Sequence, residues 1–156
     1  MNQKSPLVFH SHFYQPPRED PFTGLIPSEY GSGKYGNFNE KIYQECYRPI
    51  IEAGIVDRMS FNIGPTLVDW LNKYHPDTLE KYIKIDQKLT EIHGSGNAIA
   101  QAYNHAILPL LSDYDKEVQI SWGIDDFRHK FKRDPLGFWL PETAVDMATL
   151  RILVKY

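Results

Sequence analysis

The chain lacks most features that would tie it to an oxidising compartment, a nucleic acid or a membrane. Its single cysteine, Cys46, allows no internal disulfide, so a reducing environment is the simplest expectation. The 17 basic and 20 acidic residues are interspersed and give a net charge of −3, which argues against a nucleic-acid-binding surface. The apolar run at residues 7–9 is too short for a signal sequence or a membrane span. We therefore expect a cytoplasmic protein with no nucleic-acid or membrane partner.

Signatures of several enzyme classes are also missing. No Gly-x-Ser-x-Gly sequence occurs, and Cys46 lies on the apolar face of a predicted helix, so a serine or cysteine nucleophile has no support. The glycine-rich stretch at residues 31–34 follows no buried strand, and no Lys-Ser or Lys-Thr pair closes it. The sequence thus predicts neither a phosphate-binding loop nor a cofactor.

What the sequence does contain is a strand-and-helix pattern that recurs four times. Its 156 residues suit one hydrophobic core. Short apolar runs followed by helical periodicity predict parallel strands at residues 6–14, 59–63, 97–103 and 139–142. Four such units without a closing strand predict an α/β fold in which residues 1–156 form the N-terminal portion of a barrel within a longer, truncated protein.

The helices between these strands are predicted from apolar spacing and capping residues. Asn39 is predicted to cap a helix that contains Pro49, and Pro65 fits the first turn of the next. Ser112 forms a capping box with Asp115, and Thr143 is predicted to begin the last helix. The faces expected to point inward are Ile42, Cys46 and Ile50; Leu67, Trp70, Leu71 and Tyr74; and Ile120, Ile124, Phe127 and Phe131. Residues 16–39 have no period and predict a long loop over the strand ends, where functional loops are common.

Polar side chains with chemical potential gather at the predicted strand ends. His10 and His12 share one face of the first strand because strand side chains alternate, and Asn62 lies near the end of the second. Glu142 lies where the fourth strand gives way to a helix, and in parallel α/β folds such positions face the ligand. A glutamate that merely caps a helix behind a core tryptophan is the alternative for Glu142.

Three interpretations of the His10 and His12 pair remain open at this point. Two imidazoles on one face can ligate a metal, but no further cluster shows ligand spacing, although His105 and Glu142 would be available. The pair can also be hydrogen-bonded within a polar pocket. Alternatively, it can bind sugar, since histidine and amide groups donate and accept while aromatic faces stack on pyranose rings; ten tyrosines and three tryptophans favour this.

Two motifs resemble those of glycoside hydrolase family 57. His10-Ser-His12-Phe-Tyr-Gln15-Pro16 is similar to that family's His-x-His-Gln-Pro motif, with two residues interposed. Gly137-Phe-Trp139-Leu-Pro-Glu142 resembles the Trp-Leu-x-Glu motif that carries the catalytic nucleophile. The stretches at residues 61–67 and 97–105 resemble a divergent branch of the same family, so the resemblance spans nearly the whole chain.

The resemblance implies an incomplete (β/α)7 barrel and a retaining hydrolase or 4-α-glucanotransferase that acts on α-glucans. It implies that Glu142 is the nucleophile. We expect no metal and no cofactor. The expected substrate-binding residues are His10, His12, Gln15, Asn62, Asn104, His105 and Trp139.

Two departures from the family pattern accompany this expectation. The second motif ordinarily carries a glutamate, and Gly96-Asn-Ala-Ile has none. The general-acid aspartate belongs to a later motif beyond Tyr156, so this chain alone is predicted to be inactive. The rival hypotheses are a metal-dependent hydrolase or deacetylase that uses His10 and His12, and a non-catalytic carbohydrate-binding half-barrel. Exposed barrel edges predict self-association.

Overall fold

Parallel strands in chain order form the centre of the computed structural model, which describes residues 5–156. The strands are β1 (His10–Phe13), β2 (Ser60–Ile63), β3 (Ala100–Gln101) and β4 (Phe138–Trp139). β1 pairs with β2, a parallel bridge joins Phe61 to Ala98, and β3 pairs with β4. Because every neighbour is parallel, the C-terminal ends of all four strands lie on one rim, the geometry predicted from the sequence.

Helices connect each strand to the next and cover the outside. They are α1 (Phe38–Ile42), α2 (Arg48–Glu52), α3 (Pro65–Tyr74), α4 (Pro76–His93), α5 (Asp113–Phe131) and α6 (Met147–Leu153). Each crossover runs back along the outside, so that the next strand starts again from the far end. Among residues 5–156, no helix combines the length and apolar character needed to cross a bilayer.

The core lies between the strands and the inner faces of α3, α4 and α5. Phe61, Leu67, Leu71, Leu108 and Ile120 are fully buried there. The predicted inward face of α5 is confirmed throughout, and that of α3 is confirmed except for Tyr74, which lies at an exposed end. The helical period therefore identified most of the core correctly.

The region between β1 and β2 differs from the prediction. Asn37, not Asn39, caps α1: its side chain accepts a hydrogen bond from the backbone of Glu40 at 2.9 Å. Asn39 is instead buried within the helix and accepts from Arg18 Nε at 2.8 Å. The side chain of Asn39 does not cap the helix because it binds Arg18, a loop residue 21 positions earlier in the sequence. The local sequence pattern does not reveal this contact.

A wider π-helical turn, Tyr43–Tyr47, separates α1 from α2. Pro49 follows this turn. In an ordinary α-helix its ring would clash with the carbonyl group four residues earlier, which explains the wider turn here. The wider turn directs Tyr43 and Tyr47 into the core, while the predicted inward residues Ile42, Cys46 and Ile50 are only partly buried.

The last predicted strand and helix are shorter than expected. Strand pairing in β4 ends at Trp139, and residues Pro141–Thr143 form a single 3₁₀ turn. Helix α6 begins at Met147, with Asp146 as its cap, rather than at Thr143. Glu142 and Thr143 have φ of 54° and 55°, a left-handed backbone that cannot start an α-helix. Likewise, residues 6–9 and most of 97–103 lie outside regular strands.

The loop that follows β1 is fastened to α1 by one arginine. The side chain of Arg18 donates to Gln15 Oε1 at 3.0 Å, forms an ion pair with Glu29 and binds Asn39. The same loop exposes Phe22 and Tyr30 almost completely. The predicted long loop is therefore ordered by its own polar contacts, while two of its aromatic rings remain free of the core.

Candidate active site

One buried amide connects the polar side chains of three neighbouring strands. Asn62 on β2 is fully buried, and its Oδ1 accepts a hydrogen bond from His10 Nε2 at 3.0 Å. Its Nδ2 donates to His12 Nδ1 at 2.8 Å and to Gln101 Oε1 on β3. Since an amide nitrogen only donates, His12 carries its proton on Nε2 in the neutral form. Asn62 thereby fixes the tautomer and direction of the histidine pair.

The two histidines of β1 lie against the tryptophan of β4. Trp139 stacks on His10 and on His12, with 4.9 Å between ring centroids in each case and nearly parallel planes. The second ring nitrogen of His10 lies 2.9 Å from Ser60 Oγ. The alternation predicted for β1 is confirmed, because both imidazoles point to the same side and meet the same indole.

His105 and Glu142 form the polar edge of this cluster. His105 Nε2 donates to Glu142 Oε1 at 3.1 Å. The His105 side chain is only 7% exposed, whereas that of Glu142 is 65% exposed. His105 stacks on His12 at 4.8 Å, so the carboxylate lies on the same rim as the histidine pair. It is not a buried cap behind the core.

Backbone strain is concentrated in the same place. Among residues 5–156, positive φ outside glycine occurs at His105, Lys132, Glu142 and Thr143. Lys132 ends α5, whereas the other three lie at the strand ends. Left-handed backbone costs a non-glycine residue roughly 1–2 kcal/mol, and such residues tend to cluster at functional sites.

The electrostatics of the cluster favour a neutral His12. Burial lowers the pKa of His12 below its ordinary value of 6.5, and the nearby His105 and His10 act in the same direction. Burial also raises the pKa of Tyr14, with the Glu142 carboxylate as a second cause. Both rings therefore remain uncharged near neutral pH, as donors and acceptors beside one carboxylate.

Two buried polar atoms of the cluster have no hydrogen-bond partner within the described part of the chain, namely Trp139 Nε1 and His105 Nδ1. Unpaired buried polar groups are rare in folded proteins and call for a specific explanation. Between residues 5 and 156, no three His, Cys, Asp or Glu side chains are grouped so that they could hold a metal ion. The metal hypothesis therefore has no ligand set among these residues.

Comparison with protein families identifies the family of this chain. The model for glycosyl hydrolase family 57 matches residues 7–156. The chain belongs to glycosyl hydrolase family 57.

The chain is also similar to one curated protein and to solved structures. Alpha-amylase 1 of Dictyoglomus thermophilum is 29% identical over 127 residues, which cover 78% of this chain and 17% of that protein. Among solved structures, the 4-alpha-glucanotransferase of Thermococcus litoralis gives a TM-score of 0.66 at 20% identity, with 95% of this chain and 20% of that chain covered. The exo-type maltose-forming amylase of Pyrococcus sp. ST04 gives 0.70 at 19% identity, with 95% and 27% covered.

These similarities confirm the fold. This family 57 chain is α/β, with parallel strands that form part of a (β/α)7 barrel, as expected from its sequence. It spans between about a sixth and about a quarter of the length of the relatives it matches.

Not every predicted site residue of the family 57 chain reaches the cluster. Gln15 donates to the Tyr47 hydroxyl at 3.2 Å and accepts from Arg18, so its side chain binds the loop and α2 side of the rim. Asn104 is exposed, and its backbone donates to Gln119 Oε1 at 2.7 Å. His10, His12, Asn62, His105, Trp139 and Glu142 do converge.

Two members of the cluster are absent from the predicted set. Tyr14 stacks on His105 at 3.9 Å, and Gln101 binds Asn62 while pairing in register with Trp139. Strand alternation puts Tyr14 on the same face as His10 and His12, so the two-residue period of the strand could have predicted that Tyr14 joins the cluster. Gln101 lies in the third predicted strand, and only the strand register shows that it meets Asn62.

Proposed function

We propose that this chain supplies the nucleophile and part of the sugar-binding surface of a retaining α-glucan hydrolase or 4-α-glucanotransferase. Glu142 is the proposed nucleophile. The observation that carries the proposal is the position of its carboxylate, exposed at the end of β4 yet bonded to His105 within the ring cluster. Family membership and the relatives named above support the reaction class.

The cluster has the components that sugar recognition requires. The partly exposed rings of Trp139, His10 and His12 offer flat apolar surface beside Glu142. His12 Nε2 supplies an N–H for a sugar hydroxyl group, because Nδ1 of His12 and both ring nitrogens of His10 already bind protein partners. We assign His10, His12 and Trp139 to the sugar that is cleaved, with Asn62 holding the histidines in place. Gln15 and Asn104 keep substrate contact only if a sugar extends beyond the cluster.

The chemistry follows from a carboxylate nucleophile. A Glu142 oxygen bonds to the anomeric carbon as the glycosidic carbon–oxygen bond breaks, and the leaving oxygen takes a proton from a general acid. Water, or a hydroxyl group of another sugar, then attacks the same carbon and frees the carboxylate. In family 57 the acid belongs to a later motif, so we propose that this chain alone binds substrate but does not turn over natural glucans.

The nucleophile can be tested without the acid. An α-glucosyl fluoride with a second fluorine on its ring needs no protonation, because fluoride departs with the bonding electrons as the carboxylate attacks. We expect the 156-residue chain to gain the mass of one fluoroglucosyl group on the peptide that contains Glu142. Mass spectrometry of the digested chain measures this adduct.

Substitution then assigns the adduct to one carboxylate. Glu142→Gln should abolish labelling and leave oligosaccharide binding in place. Glu91→Gln, at an exposed carboxylate of α4, is the matched control and should label normally. An adduct on any other carboxylate would move the nucleophile elsewhere.

The rival functions give different results in the same assays. Saturable binding of α-linked glucose oligosaccharides without any adduct would identify a non-catalytic carbohydrate-binding half-barrel. Loss of activity with a chelator, together with bound zinc by elemental analysis, would favour the metal-dependent hydrolase. Self-association remains a prediction; Leu136, Leu150 and Tyr156 expose apolar surface beside β4, and light scattering measures the oligomeric state.

A further inference from the structure

We infer that His105 is a positioning residue for Glu142, and not primarily a sugar ligand. Its Nε2–H holds one carboxylate oxygen so that the other is directed at the anomeric carbon. The inference rests on the proposed function, since it needs Glu142 to be the nucleophile. It goes beyond that function by giving His105 a task that the family motifs do not assign to it.

The burial of the two partners is unequal in the direction this role requires. The His105 side chain is 7% exposed, so little of it is accessible to a ligand, while Glu142 is 65% exposed. A carboxylate this exposed would otherwise sample several rotamers, and fixing a glutamate side chain costs conformational entropy. The hydrogen bond from the buried His105 fixes the carboxylate, so this entropy is lost before substrate binds.

The donor itself is held firmly by stacking. His105 stacks on Tyr14, at 3.9 Å and 14° between planes, and lies beside the nearly parallel ring of His12, at 4.8 Å and 16°. Rotation of the ring out of plane would break the contact with Tyr14. The direction of Nε2 is therefore set by packing, and with it the position of the carboxylate oxygen 3.1 Å away.

The backbone shows the same constraint at both ends of the bond. His105 and Glu142 have φ of 56° and 54°, although they are 37 residues apart in sequence. Each conformation is costly for a residue with a side chain. Their meeting in one hydrogen bond indicates a geometry maintained by the surrounding fold.

The hydrogen-bond chemistry fixes the tautomer as well. An ionised carboxylate only accepts, so Nε2 of His105 carries the proton. Nδ1 is buried and has no partner within residues 5–156. His105 thus orients Glu142 through the proton on Nε2.

Two substitutions separate positioning from sugar binding. His105→Phe keeps a flat ring for stacking and removes the donor, whereas His105→Gln keeps a donor without the ring. We expect His105→Phe to slow labelling of Glu142 by the fluorinated glucosyl fluoride about 10- to 100-fold, the usual effect of a misplaced reacting group. Affinity for an unreactive α-linked glucose oligosaccharide should stay within about 3-fold, and His105→Gln should recover part of the labelling rate.

The outcomes distinguish this inference from the proposed function. Labelling of Glu142 at an unchanged rate in His105→Phe would overturn the inference and leave the nucleophile in place. An equal fall in affinity and labelling rate would make His105 a sugar ligand and would also overturn it. Absence of a Glu142 adduct in the unaltered chain would overturn both. His129→Gln, at an exposed histidine of α5, is the matched control and should change neither quantity.

A spectroscopic readout on the unaltered chain covers the case in which His105→Phe fails to fold. Nitrogen-15 NMR of the imidazoles should show His105 with a protonated Nε2. Glu142→Gln should shift the Nε2 signal of His105 and leave that of His129 unchanged. A protonated Nδ1 with a bare Nε2 would overturn the inference.

Discussion

The two ends of the parallel strands hold polar groups in contrasting ways. At the N-terminal end of β3, Asp86 on α4 and Arg133 after α5 form a closed cluster around Ala98. At the opposite, C-terminal rim, the histidines and Glu142 form a cluster with unpaired atoms and left-handed backbone. Polar groups at the first end are paired with one another, whereas some at the rim have no partner among the described residues.

The Asp86 cluster satisfies its hydrogen-bonding capacity internally. Asp86 is fully buried, and its two oxygens accept from Arg133 Nε at 2.9 Å and Nη2 at 2.7 Å, in bidentate fashion. Asp86 also accepts from the backbone of Ala98 at 2.8 Å, while Arg133 donates to the carbonyl group of the same residue at 2.8 Å. The pair therefore joins α4, β3 and the end of α5.

The rim cluster contains polar groups whose hydrogen-bonding capacity is not used among the described residues. Trp139 Nε1 and His105 Nδ1 are buried without partners among the described residues, and Glu142 is mostly exposed. An unsatisfied buried polar group costs about 1–3 kcal/mol, which the rest of the fold must offset. The cluster that stabilises and the cluster that destabilises thus lie at opposite ends of the same strands, as in barrel enzymes generally.

Removal of Asp86 should give the largest loss of stability. Asp86→Ala leaves a guanidinium group mostly buried without its partner and a backbone N–H without its acceptor. We expect the free energy of unfolding to fall by about 3–5 kcal/mol, measured by urea denaturation. Glu80→Ala, which breaks an exposed pair with Lys84 on the same helix, is the control and should cost about 0–1 kcal/mol. Similar losses for both variants would contradict the assigned role of the closed cluster.

A bulkier residue at Gly123 should lower both the stability of the fold and the affinity of the rim for sugar. A Cβ at this position of α5 would lie 1.9 Å from the carbonyl oxygen of Gln101. Gly123→Ala must therefore push α5 away from β3, and we expect a loss of about 1–3 kcal/mol. Because Gln101 binds Asn62, oligosaccharide affinity should fall as well. Ser121→Ala on the same helix should change neither; unchanged affinity in Gly123→Ala would show that the rim is independent of this contact.

The sequence alone predicted the positions of several rim residues. Alternation placed His10 and His12 on one face, and the strand-to-helix switch placed Glu142 at the rim. Both predictions follow from the two-residue period of strands and the 3.6-residue period of helices, so they can be made from a single sequence.

The features that escaped prediction depend on contacts distant in sequence. Local pattern could not choose between Asn37 and Asn39 as the cap, because Arg18 decides it from the loop. It could not foresee the left-handed backbone of Glu142, which meets His105 across 37 residues. Gln15 carries a family motif yet turns toward Tyr47, since the loop positions Arg18 beside it. Tertiary contacts override local preference at such places.

The strain at the rim can be measured by comparing glycine with alanine. At φ of 54°, Glu142→Gly relieves the backbone while Glu142→Ala retains the strain, so the glycine variant should be more stable by about 1 kcal/mol. At Glu80, inside α4, the order should reverse by a similar amount because glycine disfavours helices. Urea denaturation of the four variants measures both differences. The same order at both positions would show that Glu142 is unstrained.

The smallest expected effect concerns the pH dependence contributed by His12. Burial holds the pKa of His12 in the folded chain below its ordinary value of 6.5, which the unfolded chain retains. Below that value the unfolded state binds a proton that the folded state does not, so the contribution to stability is full above 6.5 and declines as pH falls through it. His12→Gln should therefore flatten the fall in unfolding free energy between about pH 7 and pH 5. His129→Gln, at an exposed site, should leave the slope unchanged. An unchanged slope in His12→Gln would mean that the imidazole protonates freely in the folded chain, and the rim would then carry positive charge beside Glu142 in acid.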